Sequence, residues 1–266
     1  MSARDCNNVE ASVKFNQKAL NELKWCKENI EKEVPQKIID NLWLAQKSPK
    51  NWFSNFKLSW EVSELSGLPL NRSDLFMLID QHRNIGELDK PTLRKLIVSV
   101  FAWGAMGTSA TNGKLAINSI EAYEGVCSEL LCGMTPVDAY AEFFKLKKLK
   151  KMRGVGPAYY TKLIFFFGDR SGLIMDQWTA RSTNLLLGKA LIKLVGNYVS
   201  DSNSEQVYRE YLNFVTELKN HLGINSIAKA EELIFSCPHK HRAVKKRLGK
   251  YHGACSAWRK YVAENT

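Results

Sequence analysis

Apolar residues recur at helical spacing along most of this chain. Leu93, Leu96, Ile97, Val100 and Phe101 share one face of a segment that Pro91 would open. Val207, Tyr211, Phe214, Val215 and Leu218 repeat the pattern, as do Ala230, Leu233 and Ile234. Residues 11–29 read as a polar amphipathic helix. Segments 48–55 and 66–73 carry Pro, Gly, Asn and Ser and read as loops. No long alternating run argues for a sheet, and only short strands near 51–62 are left open. The expected class is mainly α, without internal repeats.

The spacing predicts a helix from Pro136 to Lys150, with Thr135 as N-cap and Asp138 in the first turn. Gly154-Val155-Gly156 then reads as a tight turn. Pro157 opens a second helix that runs through Phe165–Phe167 and stops at Gly168. The first N–H groups of that helix, backed by its dipole, form a ready anion site. Lys151 and Arg153 would attract the same phosphate, and Ala158 and Lys162 share the helix face that follows. Asp176, 20 positions beyond Gly156, stands where the next helix should begin and runs on to Leu187. Taken alone, such an aspartate is an ordinary helix cap, just as Asp169 after Gly168 serves a turn.

Charge changes the picture. The 266 residues hold 38 Lys+Arg against 27 Asp+Glu, a net +11. The excess is concentrated: residues 143–168 contain seven bases and no acid, and residues 236–262 contain eight bases and no acid. Clustered basicity on a slightly acidic background fits a polyanion better than diffuse solubilising charge does. Hydrophobic content of 45% is ordinary for a globular protein, and no stretch approaches a membrane span. The start, Met-Ser-Ala-Arg-Asp, lacks the apolar core of a signal peptide. Six scattered cysteines then imply free thiols in a reducing, cytoplasmic setting, at the nucleoid if the source is bacterial.

The segment around 150–182 resembles the helix-hairpin-helix DNA glycosylase superfamily, which includes endonuclease III, adenine glycosylase and 8-oxoguanine glycosylase. Gly154-Val155-Gly156 matches the hairpin, and Ile174-Met175-Asp176-Gln177-Trp178 matches the segment that holds the catalytic aspartate. The resemblance implies an enzyme that flips a damaged or modified base out of double-stranded DNA and cuts its glycosidic bond. It also implies two helical subdomains, 88–187 and 1–87 plus 188–266, with the hairpin and Asp176 at the cleft between them. Such a protein is expected to act as a monomer without a cofactor.

Two departures shape that expectation. Bifunctional members place a nucleophilic lysine two residues after the second hairpin glycine, where this chain has Ala158. The resemblance therefore implies a monofunctional enzyme that leaves an abasic site, with Lys162, one turn further, as a relocated amine in the alternative. The family's glutamine-bearing segment has no polar counterpart in Gly104-Ala105-Met106-Gly107, so base recognition must be arranged differently.

The chemistry supports the acid separately. Losing a base leaves positive charge on the deoxyribose, and a carboxylate held against it stabilises that charge and orients the attacking water. Trp103, Gln177 and Trp178 are the candidate pocket walls, although aromatics at helical spacing also serve cores. Cys237, His239, His241, His252 and Cys255 offer zinc donors, but their spacing follows no established zinc motif, and the bases around them would oppose a cation. The site is expected to need no metal. The substrate could be an oxidised purine, an alkylated base or a hypermodified phage base, the last making this a defence enzyme. The other readings are a non-catalytic DNA-holding module and a structural RNA-binding protein. With this much clustered charge, affinity for duplex DNA should fall steeply as salt is raised in a filter-binding titration; a flat response would contradict the polyanion footprint.

Overall fold

The computed structural model describes residues 13–33, 45, 47–56, 64–83, 88–104, 106, 112–235 and 252–266. It is mainly helical. In chain order the helices are α1 (Gln17–Glu33), α2 (Pro49–Phe53), α3 (Arg72–Asp80), α4 (Lys90–Trp103), α5 (Asn112–Asn118) and α6 (Glu124–Leu131). They continue as α7 (Pro136–Lys148), α8 (Pro157–Phe167), α9 (Gln177–Leu187), α10 (Glu205–His221), α11 (Ile227–Phe235) and α12 (His252–Asn265). A two-stranded antiparallel hairpin, β1 (Leu194–Val195) and β2 (Tyr198–Val199), stands between α9 and α10.

The helix boundaries follow local chemistry. Thr135 caps α7 by accepting from the Asp138 N–H, with Pro136 just inside. Asp89 caps α4 in the same way, through the Thr92 N–H, with Pro91 next inside the helix. The loop expected over 48–55 is instead helical, as α2 and a following 3₁₀ turn, Ser54–Phe56. Its polar residues are helix signals here: Ser48 caps the Asn51 N–H, and Pro49 takes the first helical position. Trp52 anchors the segment by burying its ring and donating its Nε1–H to the Met106 carbonyl at 2.8 Å. The short strands left open near 51–62 are therefore absent over the described part, 51–56; the strands present lie at 194–199.

The apolar α8 is the hub. Leu163, Ile164, Phe165, Phe166 and Phe167 are all buried, and the helix packs against α3, α4, α6 and α7. A helix apolar on all sides is stable only when neighbours enclose it. On the other side, α9 packs against α1, α11 and α12, and α10 bridges α7 and α11. The buried apolar residues form one continuous core.

The turn between α7 and α8 is closed by packing. Gly154 has φ +70°, and a Cβ there would lie 2.1 Å from the Asn112 carbonyl oxygen and 2.8 Å from the Ala116 nitrogen. Those are backbone atoms of α5 and cannot swing aside. At Gly156 a Cβ would meet only the Asp201 carboxylate, at 3.4 Å, and its φ of −105° suits any residue. Gly154→Ala should therefore cost well over about 1 kcal/mol, seen as a lowered thermal midpoint. Gly156→Ala should melt close to wild type; equal losses would show that torsion and α5 contact are not what select glycine at 154.

Candidate active site

Asp176 sits at the end of a buried segment that belongs to no helix or sheet. Leu173, Ile174 and Met175 are buried, so their backbone groups need partners other than water. Side-chain hydroxyls supply them. The Tyr208 hydroxyl donates to the Leu173 carbonyl at 2.9 Å and accepts from the Leu173 N–H at 3.0 Å. Thr161 accepts from the Met175 N–H at 3.0 Å while donating to the Pro157 carbonyl at 2.6 Å. Tyr211 and Thr179 both donate to the Ile174 carbonyl, at 3.0 and 3.1 Å. Three helices, α8, α9 and α10, thus fix the segment that delivers the acid.

Asp176 itself is the N-cap of α9. Its Oδ1 accepts from the N–H groups of Trp178 (2.8 Å) and Thr179 (3.0 Å), and its own N–H donates to the Thr179 hydroxyl at 2.9 Å. This is a reciprocal capping box. Both bonds fall on Oδ1, so Oδ2 takes no hydrogen bond from the described residues, and the side chain is only half-buried. One oxygen is committed to the helix and the other is not.

The hairpin turn supplies further free donors. Gly154, Gly156 and Ala158 are partly exposed, and their N–H groups meet no acceptor among the described residues. Val155 is fully buried and holds the turn in place. The Arg153 backbone is tied to the Ser119 hydroxyl, whose oxygen lies 3.1 Å from its N–H and 3.2 Å from its carbonyl, while the side chains of Lys151 and Arg153 are exposed.

Lys162 is half-buried on α8. Its Nζ donates to the Ala158 carbonyl at 2.6 Å and lies 5.0 Å from the Tyr159 ring centroid. Its Cδ lies 2.8 Å from where a Cβ on Gly104 would be, which places it at the end of α4. Loss of water lowers the proton affinity of this amine, and the charges of Asp176 and Glu231 oppose that fall.

The three pocket candidates occupy different settings. Trp103 meets Phe166 edge-on, with ring centroids 4.9 Å apart, and is half-buried. Trp178 lies under the Arg259 guanidinium at 4.5 Å, so one flank is already occupied by protein. Gln177, the first residue of α9, is half-buried. Cys237, His239 and His241 lie outside the described residues, and His252 and Cys255 begin α12. Among the described residues no group of three His, Cys, Asp or Glu side chains is placed to hold a metal ion, and no helix is long and apolar enough to cross a membrane.

Sequence reasoning missed Glu231. It is 3% exposed and its Oε2 accepts from Arg72 at 3.0 Å. Arg72 in turn stacks on the Phe165 ring at 4.2 Å. Burial pushes the Glu231 carboxyl up to about 7 despite the pull of Arg72, and the negative charges of Asp176 and Glu232 add to the rise. The signal was present in the sequence: Ile227, Ala230, Glu231 and Ile234 follow helical spacing, which puts an acid on the apolar face of α11.

With this geometry in view, the comparisons define the class. Residues 36–235 match the model of one family, described as "Putative 8-oxoguanine DNA glycosylase OGG-like protein". The match spans the hairpin, the acid and Glu231, and the chain belongs to this family, within the glycosylase-like superfamily. No curated protein and no solved structure matches the chain.

Glu231 makes a stability test. Between its ordinary value of 4.5 and about 7, the native chain holds a proton that the unfolded chain has released. Stability should therefore fall as pH rises through that window and level off above it. Denaturant unfolding at a series of pH values should show this slope in wild type and a much flatter one in Glu231→Gln. An unchanged slope in the variant would assign the effect elsewhere.

Proposed function

We propose that this protein is a monofunctional DNA glycosylase, which removes a damaged or modified base and leaves an abasic site. The observation that carries the reading is the half-committed Asp176, whose Oδ1 caps α9 while Oδ2 remains open. Membership of the glycosylase-like family supports DNA as the substrate polymer. Duplex DNA would lie along the cleft between the two helical subdomains, 88–187 and the combined N- and C-terminal regions. The free N–H groups of Gly154, Gly156 and Ala158 would hold one phosphate, with Lys151 and Arg153 adding Coulomb attraction.

The chemistry follows from the flipped nucleotide. The carbon–nitrogen bond breaks as its electron pair leaves with the base, and the sugar becomes cationic. The Asp176 carboxylate stabilises that cation and accepts a proton from the water that adds to the sugar carbon. The departing base takes up a proton. Gln177, Trp178 and Trp103 remain the proposed pocket walls, and Glu231 stands close enough to Asp176 for their charges to interact.

One observation favours a second reading, in which the enzyme also cleaves the strand. The amine of Lys162 is easier to deprotonate than an exposed lysine, as a nucleophilic amine must be. Its bond to the Ala158 carbonyl would have to open first.

Both readings meet in one experiment. Purified protein is incubated with duplexes carrying oxidised, alkylated and phage-type bases, followed by detection of free base and alkali-labile sites. Asp176→Asn keeps an N-cap of equal quality, so folding and DNA binding should persist while excision falls about 100-fold or more. Full activity in that variant would defeat the assigned role. A covalent adduct trapped by borohydride, and lost in Lys162→Gln, would establish the second reading over the first.

A further inference from the structure

Helix α11 carries an acid on its apolar face. Glu231 is buried, as are Ala230 and Ile234, on the helix that packs against α9 and α10. Stability alone gives little reason to keep a carboxyl there, because replacing a buried ion pair by apolar groups of like volume is often neutral or stabilising. Arg72 bonds only Oε2, at 3.0 Å, and Oε1 takes no hydrogen bond from the described residues.

Charge balance decides the state of this carboxyl. Within electrostatic reach of Glu231 are Arg72 of α3, Lys162 of α8, Asp176 at the head of α9, Tyr208 and Tyr211 of α10, and Glu232 of its own helix. The two tyrosines are neutral, their hydroxyl protons given to the Leu173 and Ile174 carbonyls. Among the described residues this leaves three carboxyls, Asp176, Glu231 and Glu232, against two cations, Arg72 and Lys162. One proton balances the group, and it settles on the acid with the least water, since burial disfavours charge. The other two acids are better hydrated: Glu232 has 27% of its side chain exposed, and Asp176 is half-buried. Burial accordingly lifts the Glu231 carboxyl to about 7.

Two carboxyls in such different settings suit opposite roles. Asp176 is an acceptor, its Oδ1 receiving two N–H groups at the head of α9. Glu231 is placed to donate, and Arg72 already stands where the ionised form would need a partner. Base excision calls for both. A neutral base leaves as an anion unless a proton reaches it, while the water that attacks the sugar must lose one.

We propose that Glu231 is the catalytic acid of excision, delivering its proton to the departing base while Asp176 receives one from the attacking water. This rests on the glycosylase reading of Asp176. The carbon–nitrogen electron pair goes to the base, a ring nitrogen of the base takes the Glu231 proton, and the water oxygen bonds the sugar carbon. Glu231 is left ionised against Arg72, and Asp176 is left protonated. One proton passing from Asp176 to solvent, and one from solvent to Glu231, restores the starting state. The acid also selects the substrate. Neutral oxidised or phage-type bases depend on it, whereas a cationic alkylated base departs as a neutral molecule without a proton.

The test compares duplexes carrying neutral bases (8-oxoguanine, hypoxanthine and 5-hydroxymethyluracil) with one carrying 7-methylguanine, which is already cationic. A further duplex, with a cationic pyrrolidine in place of one sugar, probes the site without excision. Glu231→Gln should lower single-turnover release of a neutral base about 100-fold or more, and slow release of 7-methylguanine by less than about tenfold. It should keep the preference for the pyrrolidine duplex, which Asp176→Asn should lose. In wild type, release of neutral bases should fall as pH rises above about 7, where Glu231 loses its proton, and release of 7-methylguanine should not. That contrast decides the matter if the variant does not fold. Full release of neutral bases by Glu231→Gln would overturn the proton donor and leave Asp176 in its role. Equal losses on neutral and cationic bases, or wild-type release of 7-methylguanine alone, would overturn it too. Wild-type protein that releases no base from any duplex would defeat the glycosylase reading as well.

Discussion

Everything around the acid depends on a stretch of backbone that is buried and outside any helix or sheet. A peptide group buried without a partner costs about 1–3 kcal/mol, and residues 173–176 carry several. Four hydroxyls, from Thr161, Thr179, Tyr208 and Tyr211, remove that cost. They also convert a floppy connection into a fixed one, because each belongs to a helix with its own packing. Asp176 then arrives at the head of α9 in a defined direction. The site is thus built by the core: Tyr208, stacked on Tyr140 at 4.4 Å, holds the segment that ends in the carboxylate.

That arrangement also explains which parts could be read from sequence. Pro136, Pro157, Gly168 and Asp176 mark helix ends by local torsion and capping, and each helix ends where these residues place it. Local chemistry misled at 48–55, where Ser, Pro and Asn proved to be a cap and first turn; only burial of Trp52 reveals this. The β-hairpin was invisible because two-residue strands carry no alternation to detect. The hydroxyl partners were equally hidden, since Thr161 pairs with Met175 and Tyr208 with Leu173 across 14 and 35 residues of sequence.

The site follows the same division. The turn and Asp176 stood out because their spacing is local. Glu231, 55 positions beyond Asp176, reaches the same electrostatic neighbourhood only when α9 and α11 pack together. Lys162 was named from its place one turn beyond Ala158, but its contact with Gly104 and the loss of water around its amine come from tertiary packing. Residue types could be read from the sequence; their environments, which set their chemistry, could not.

Helix α9 takes up only one oxygen of Asp176, and this bears on how the residue should be interpreted in descendants of the chain. Helix α9 requires an acceptor at its N-cap whether or not any bond is ever hydrolysed. A lineage that abandoned the reaction would still be under pressure to retain an aspartate there, or an asparagine in its stead. Persistence of that carboxylate among kin is consequently poor testimony to activity. What the second oxygen faces is the better witness.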